Sequence, residues 1–335
     1  MAPDTDGDAL LALPHEVLNE ILRGKRREGA AEGLSAADLK TFRSLCTVAR
    51  RAVNEDVETL RIGAGSVAST ALQRLQREFS QLKRLGLYDD DVNSRVTGAC
   101  LESFLKSEKS DEQAAGSAAA SHANSSPFAS TNLQVLDVKC CLFISAKELQ
   151  QLLLACKPSE LLAPRWAEPP HLRALSVASA TLTSLDLGDA TTDVISLLDS
   201  GLAALPPLPL LRSLSLRRCT AVTDAGVSNL TCAKFPSLTH LDLTSTRVAG
   251  ASGFASLAGQ LQSLVLLRCR AFGDAGLRAV CEQQAGSLTS LVLCGSGVPA
   301  TGVALWCLQP AARLQKLDLG PSWELDGEGL AALAW

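Results

Sequence analysis

The sequence has little that would direct the chain to metals, nucleic acids or lipid surfaces. Its formal net charge of −4 over 335 residues provides no broad basic field to attract nucleic acid or anionic lipid. Four histidines and an odd number of cysteines, eleven, without a CxxC pair argue against a zinc site and a disulfide framework. We therefore expect no metal, no cofactor and no nucleic-acid partner.

Targeting segments and catalytic motifs are also missing. The apolar run LAALPPLPLL is short and interrupted by prolines, so we expect no membrane partner. The N-terminus, MAPDTDGDALLALP, is acidic where a targeting peptide would be basic, and we expect a soluble intracellular protein, cytoplasmic or nuclear, with cytoskeletal association left open. No phosphate loop, GxSxG or HExxH occurs, so we expect a protein that is not an enzyme.

What the sequence does contain is a repeat. The stretch LRSLSLRRCTAVTDAGVSNL, from Leu211, returns almost position for position as LQSLVLLRCRAFGDAGLRAV, from Leu261. The motif Leu-x-x-Leu-x-Leu, with conservative replacements, starts at Leu82, Leu133, Leu172, Leu182, Leu211, Leu238, Leu261, Leu288 and Leu314. The last five starts are 27, 23, 27 and 26 residues apart, within the leucine-rich-repeat range of roughly 20 to 29 residues.

This period predicts an α/β fold, a leucine-rich-repeat solenoid over residues 61–335 with a parallel β ladder and returning helices. Helices should begin where Asp224 and Asp274 supply a capping carboxylate. Leu172 and Leu182 are too close for two full repeats, so one of them begins a degenerate turn or no ladder strand at all. The segment KPSELLAPRWAEPP is interpreted as an irregular excursion, and the Ser/Ala-rich residues 107–131 as a mobile insertion.

The repeats resemble the cysteine-containing leucine-rich repeats of F-box proteins and of related mitotic-exit antagonists. The resemblance implies that Cys219 and Cys269 end the turn after the strand. It also implies that Cys232 and Cys281 lie near the end of the returning helix.

The N-terminal segment, residues 10–60, contains the stretches LPHEVLNEIL and DLKTFRSLCTVARRAVNEDVETLRI, whose apolar residues recur at helical spacing. It resembles an F-box, the helical module that docks onto the adaptor Skp1 and, through Skp1, onto a cullin. The resemblance implies that the adaptor-binding residues are Leu13, Pro14, Val17, Leu18, Ile21, Leu22, Leu39, Leu45 and Cys46. The alternative is a helical cap that covers the first strand of the solenoid.

In each ladder strand the leucines should point inward and the residues between them toward the concave face. This rule places Val265, Leu267 and Val292 together as an exposed apolar patch flanked by arginines, a composition typical of protein-binding surfaces. The predicted target-binding residues are Arg217, Arg218, His240, Asp242, Val265, Leu267, Arg268 and Val292. The same rule places Ser176 and Ala178 on this face, and it aligns Asp137, Asp186, Asp242 and Asp318 as a solvated acidic stripe.

The sequence therefore predicts a non-catalytic substrate-recognition adaptor of a Skp1-cullin-F-box ubiquitin ligase, which holds an unknown target protein on its concave face. The first alternative is a leucine-rich-repeat scaffold, cytoskeletal or signalling, without a ligase role. A GTPase-regulating solenoid is a further alternative.

Overall fold

A computed structural model describes residues 59–63, 82–88, 133–139, 141, 144–163, 169–188, 197–250, 252–298, 305–320 and 331. The predicted insertion at 107–131 and the F-box-like segment, except for its last two residues, lie outside these ranges. The chain divides into two compact units, Met1–Lys157 and Pro158–Trp335.

The first unit contains three parallel strands, β1 (Thr59–Gly63), β2 (Arg84–Tyr88) and β3 (Val135–Asp137). Helix α1 (Ala146–Cys156) follows β3 and begins with a capping box. The Ser145 hydroxyl accepts the Glu148 amide at 3.3 Å, and the Ser145 amide donates to the Glu148 carboxylate at 2.8 Å. These two bonds satisfy amides that the first helical turn leaves without partners.

The second unit is a ladder of short parallel strands, each paired with the next along the chain. The strands are β4 (Glu160–Leu162), β5 (Ser184–Asp186), β6 (Ser213–Ser215), β7 (His240–Asp242), β8 (Ser263–Val265), β9 (Ser290–Val292) and β10 (Lys316–Asp318). A leucine stands at the centre of every one of them, in register with its neighbours. The predicted parallel ladder is confirmed.

The connections between strands are helical but unequal in length. They contain α2 (Pro169–Ala174), α3 (Asp199–Ala204), α4 (Asp224–Val227), α5 (Asp274–Gln283) and 3-10 helices at Leu175–Ala178 and Ala255–Leu257. Helices α4 and α5 begin at the predicted aspartates. The prediction that their carboxylates cap these helices is wrong for both. The Thr223 hydroxyl caps α4, while the Asp224 carboxylate accepts the amides of Ala249 and Gly250 in the next repeat. Helix α5 has no side-chain cap.

Local side-chain chemistry explains why α4 has one turn and α5 has ten residues. The Ser228 hydroxyl and the Asn229 side-chain amide both donate to the Ala225 carbonyl, the acceptor that a continuing helix would use. Cys232 therefore lies beyond α4 and is exposed, contrary to the prediction that it would stand near the end of a helix. Cys281 lies near the end of α5 and is buried, as predicted.

The core consists of the inward leucines of each strand and three phenylalanines between strands. In the repeat that begins at Leu211, residues Leu211, Leu214 and Leu216 are at most 1% exposed. Phe235, Phe254 and Phe272 are fully buried. Burial of each such side chain contributes about 1.5 to 3 kcal/mol, so the repeated leucines provide the main stabilising term of the ladder.

One predicted strand is absent and two strands, β1 and β4, were missed. Strand β1 (Thr59–Gly63) includes the end of the stretch whose apolar residues recur at helical spacing. Leu172 lies in α2, so Ser176 and Ala178, which follow it in the 3-10 helix, do not line the strand face. The ladder instead uses β4, within the segment interpreted as an excursion. Its three inward positions are occupied by Pro158, Leu161 and Ala163, all buried, because this face requires small or apolar side chains rather than leucine as such.

Candidate protein-binding surface

Along strands β4 to β9 the central leucine is buried and its two neighbours are less buried. In β8, for example, Leu264 is buried while Ser263 and Val265 are half-buried. In β10 the central leucine, Leu317, is half-buried between two exposed residues. We call the side of the ladder opposite the buried leucines the open face. The alternation confirms which residues face it and brings Asp242, Val265 and Val292 side by side across three strands.

The predicted target-binding residues all lie on β6 to β9 or in the turns that follow these strands. Arg217, Arg218, His240 and Arg268 are exposed, and Asp242, Val265, Leu267 and Val292 are half-buried. The His240 imidazole Nδ1 lies 2.8 Å from the Thr239 hydroxyl. The predicted adaptor-binding residues, from Leu13 to Cys46, fall outside the described residues.

The aspartates of the predicted acidic stripe have a structural role. At the last position of its strand, each accepts the backbone amide two residues further on, over 2.9 to 3.2 Å. The pairs are Asp137 with Lys139, Asp186 with Gly188, Asp242 with Thr244, and Asp318 with Gly320. These carboxylates end the strands by satisfying an amide that has left the ladder.

Asp242 makes further internal contacts. Its Oδ1 also accepts the Thr244 hydroxyl at 2.6 Å, and its Oδ2 lies 3.9 Å from Nε of Arg217. Asp242 therefore holds the end of β7 and orients an arginine of the preceding repeat. The sequence placed this residue in a binding surface but did not predict its structural role.

The last strand position is not aspartate in every repeat of the second unit: it is Leu162 in β4 and Ser215 in β6. In the adjacent strands β8 and β9 it is valine, Val265 and Val292. Neither side chain can accept the amide two residues on, which belongs to Leu267 in one repeat and Cys294 in the next. The structure shows no hydrogen bond from either amide within the part of the chain that it describes. Val265, Leu267 and Val292, all half-buried, form what we call the apolar patch.

The turns beside this patch are basic. Arg218, Ser245 and Arg268 occupy equivalent positions, and each amide donates to a carbonyl of the next repeat over 2.7 to 2.8 Å. Two residues after Ser245 and Arg268 stand Arg247 and Arg270, which the sequence analysis did not select. We call the exposed residues Arg217, Arg218, Arg247, Arg268 and Arg270 the basic edge.

Two of these arginines adopt a backbone conformation that favours glycine. Arg218 and Arg268 both have φ of 59°, as does Ser245 between them, and the next residue in their row is Gly295, with φ of 67°. A side chain in this left-handed region costs about 1 kcal/mol. Such local strain is typical of functional surfaces, where it is maintained by the surrounding structure.

The described cysteines contribute mainly to packing. Six of the eight are buried, and none forms a disulfide. Cys219 and Cys269 end the strand turns as the resemblance implied, and the Cys269 thiol lies 2.9 Å from the Leu243 carbonyl. Burial raises the pKa of Cys156 and of Cys281 to about 12, so these thiols stay protonated and unreactive at neutral pH.

Comparison with known proteins supports the architecture. A family model described as a leucine-rich repeat matches residues 208–230. The structure of the leucine-rich repeat-containing protein LegL7 from Legionella pneumophila superposes with a TM-score of 0.51 at 17% identity, over 88% of this chain and 92% of that one. The fold is a leucine-rich-repeat solenoid.

Other structural similarities to the solenoid are weaker, and nothing below depends on them. The complex of Rad7 and Elc1 in yeast gives a TM-score of 0.43 at 18% identity, over 93% of this chain and 78% of that one. The TLR13-ssRNA13 complex gives a TM-score of 0.41 at 21% identity, over 60% of this chain and 31% of that one. No curated protein sequence matches the chain.

The described residues contain neither a candidate membrane helix nor a cluster of metal ligands. No helix among them combines the length and apolar character that crossing a bilayer requires. Within the same ranges no group of histidine, cysteine, aspartate and glutamate side chains could hold a metal ion.

Proposed function

We propose that this protein is a non-catalytic substrate-recognition adaptor. Its open face holds a target protein, and its N-terminal segment docks onto a Skp1-like adaptor and through it onto a cullin. The observation that carries the binding half is the interruption of the strand-ending aspartates at Val265 and Val292, beside the basic edge.

The interruption supports binding because it alters the surface without altering the core. The inward residues Leu264 and Leu291 are buried like the central leucines of β4 to β7. On the open face, the same two strands carry apolar side chains and amides without an acceptor among the described residues. An apolar centre with a charged rim is the usual composition of a protein-binding surface, and solenoids commonly bind partners along the strand face.

The adaptor half depends on the F-box resemblance of residues 10–60. In such a module the docking helices expose an apolar face to the partner, whereas a solenoid cap would bury that face against its own ladder. Once docked, a rigid solenoid would fix the distance between the captured target and the ligase. The ubiquitin chemistry would belong to other subunits.

A pull-down with Skp1 tests the adaptor half. We expect the intact chain to bind and the double variant Val17→Asp, Ile21→Asp to lose binding, because two carboxylates would enter the apolar docking face. The matched control is His15→Asp, Asn19→Asp, which adds the same charge on the opposite side of the predicted helix. Circular dichroism checks that all three chains are folded.

Two results would contradict the adaptor half. Failure of the folded intact chain to bind Skp1 would make the N-terminal segment a cap and leave a protein-binding scaffold without a ligase role. Equal loss of binding in the test and control variants would show that added negative charge, rather than the apolar face, weakens the complex.

A further inference from the structure

The basic edge and the apolar patch lie next to each other on adjacent repeats, and their chemistry restricts what can bind there. We propose that together they bind an extended acidic segment of the target protein, with the arginines pairing to its carboxylate or phosphate groups and the patch receiving an apolar side chain. This inference rests on the proposed function only in taking the open face as the target-binding surface.

The spacing of the arginines suits an extended chain that crosses the strands. Arg218 and Arg268 are two repeats apart, with Ser245 in the row between them. At the usual strand separation, two repeats span about 10 Å. An extended peptide advances about 3.3 Å per residue. Acidic groups three residues apart on such a peptide would therefore meet these two arginines in succession.

The carboxylates of the same repeats make hydrogen bonds within the solenoid. Asp199 accepts the Thr223 amide at 2.8 Å and the Thr223 hydroxyl at 2.6 Å. Asp224 accepts two amides of the following repeat, and Asp242 holds Thr244. Asp242 also approaches Arg217, and all five arginines of the basic edge are exposed.

Arginine stands at two of the three left-handed non-glycine positions of this row, Arg218 and Arg268, and serine at the third, Ser245, all with φ of 59°. At the equivalent position the next repeat has Gly295, which fits the left-handed conformation without strain. Arg218 and Arg268 stand in the same conformation at a cost in stability. A planar guanidinium that pairs with carboxylate or phosphate through two hydrogen bonds gives a physical reason for arginine there.

The apolar patch adds contacts that do not depend on charge. Val265 and Val292 are neighbours across β8 and β9, and Leu267 follows Val265 by two residues. The amides of Leu267 and Cys294, which have no acceptor among the described residues, can donate to the backbone carbonyls of a bound segment. A peptide with acidic residues around one large apolar residue would use all three features.

Fluorescence anisotropy with synthetic peptides and the full-length chain tests this proposal. The probes are labelled peptides of equal length with a central Leu flanked by Glu, by phosphoserine or by Gln, and a single-stranded RNA of matched charge. We expect the Glu and phosphoserine peptides to bind, the Gln peptide to bind at least about tenfold more weakly, and affinity to fall at roughly 0.3 M salt. The ratio of Glu to phosphoserine affinity identifies the natural source of negative charge.

Paired variants connect this binding to the basic edge. The double variant Arg218→Gly, Arg268→Gly should weaken binding of the acidic peptides by about tenfold per arginine while remaining folded, because glycine suits both positions. Ser245→Gly makes the same backbone change in the same row without removing charge. Arg173→Ala, Arg278→Ala removes two positive charges from the exposed surfaces of α2 and α5, and both controls should bind like the parent.

Three results would overturn the proposal. The Gln peptide could bind as tightly as the acidic peptides, the control variants could lose as much peptide affinity as the double variant, or the RNA could bind more tightly than either acidic peptide. Absence of binding by the folded parent would do so as well. Each result is separable from the adaptor proposal, because Skp1 binding is measured on different residues and does not involve the basic edge.

Discussion

Strands that end in aspartate and strands that end in valine share one core but present different open faces. In β7 the Asp242 carboxylate accepts the amide of Thr244, whereas in β8 Val265 leaves the amide of Leu267 without an acceptor among the described residues. The inward leucines are equally buried in both. The difference shows that the ladder tolerates an unsatisfied turn where water or a partner can reach it, which is where we place the target.

The largest expected effect tests the shared core. Leu241→Ala in β7 and Leu264→Ala in β8 should each lower the free energy of unfolding by about 3 kcal/mol, because each removes a fully buried side chain and leaves a cavity. Urea unfolding measured by circular dichroism gives both values. A difference well above 1 kcal/mol between the two variants would mean that the two kinds of strand differ inside as well as outside.

The next effect tests the role of the strand-ending aspartate. Asp242→Val should lower the free energy of unfolding by about 2 kcal/mol, because Thr244 is only 6% exposed and would lose the acceptor for its amide and its hydroxyl. Asp242→Asn is the matched control, since both bonds use Oδ1 and an amide oxygen can replace it. If Asp242→Val and Asp242→Asn lower the free energy of unfolding equally, the effect comes from the lost charge rather than from the lost hydrogen-bond acceptor.

A smaller effect tests the left-handed row of turn residues. Gly295→Ala should cost about 1 kcal/mol, because a methyl group there would meet only ordinary contacts with Arg268 and the penalty comes from the backbone. Arg268→Gly should change the free energy of unfolding in the opposite direction and stabilise the fold by up to about 1 kcal/mol. Thermal unfolding of both variants checks this, and destabilisation by Arg268→Gly would show that the arginine holds the turn.

The smallest expected effect on stability comes from restoring the aspartate pattern. In Val265→Asp the new carboxylate can accept the amide of Leu267, while repulsion from its cross-strand neighbour Asp242 offsets the gain. The free energy of unfolding should stay within about 1 kcal/mol of the parent, but affinity for the acidic peptide should fall sharply.

Val265→Asn serves as the control for this substitution, because it offers an acceptor without adding charge. Unchanged peptide affinity in both variants would remove the apolar patch from the binding surface. Weaker peptide binding in Val265→Asp alone would indicate charge repulsion. Weaker binding in both variants would indicate that the apolar contact is lost.

Leucine spacing predicted most of the ladder but failed around β4. The segment around Glu160–Leu162 was interpreted as an excursion because Pro158 and Ala163 replace two of the three leucines. The inward positions select for size and apolarity, and both residues satisfy that requirement when buried. At Leu172 the spacing predicted a strand where the chain forms helix α2, since the same spacing of apolar residues also fits one face of a helix.

The binding surface was predicted in part. The register rule placed Arg217, Val265 and Val292 on the open face, but it did not select Arg247 or Arg270, which stand in the turn beyond the strand. It also interpreted Asp242 as part of a solvated stripe. The recurrence of aspartate two residues before the turn was the available signal for its structural role.

The sequence by itself determined the repeat, its parallel pairing and its inward residues, because short strands with periodic leucines can bury them only by stacking on copies of themselves. Tertiary structure alone decided which polar groups of the turns would be satisfied. The hydrogen bonds of Asp199 to Thr223 and of Asp224 to Ala249 and Gly250 join atoms that meet only when one repeat is placed against the next.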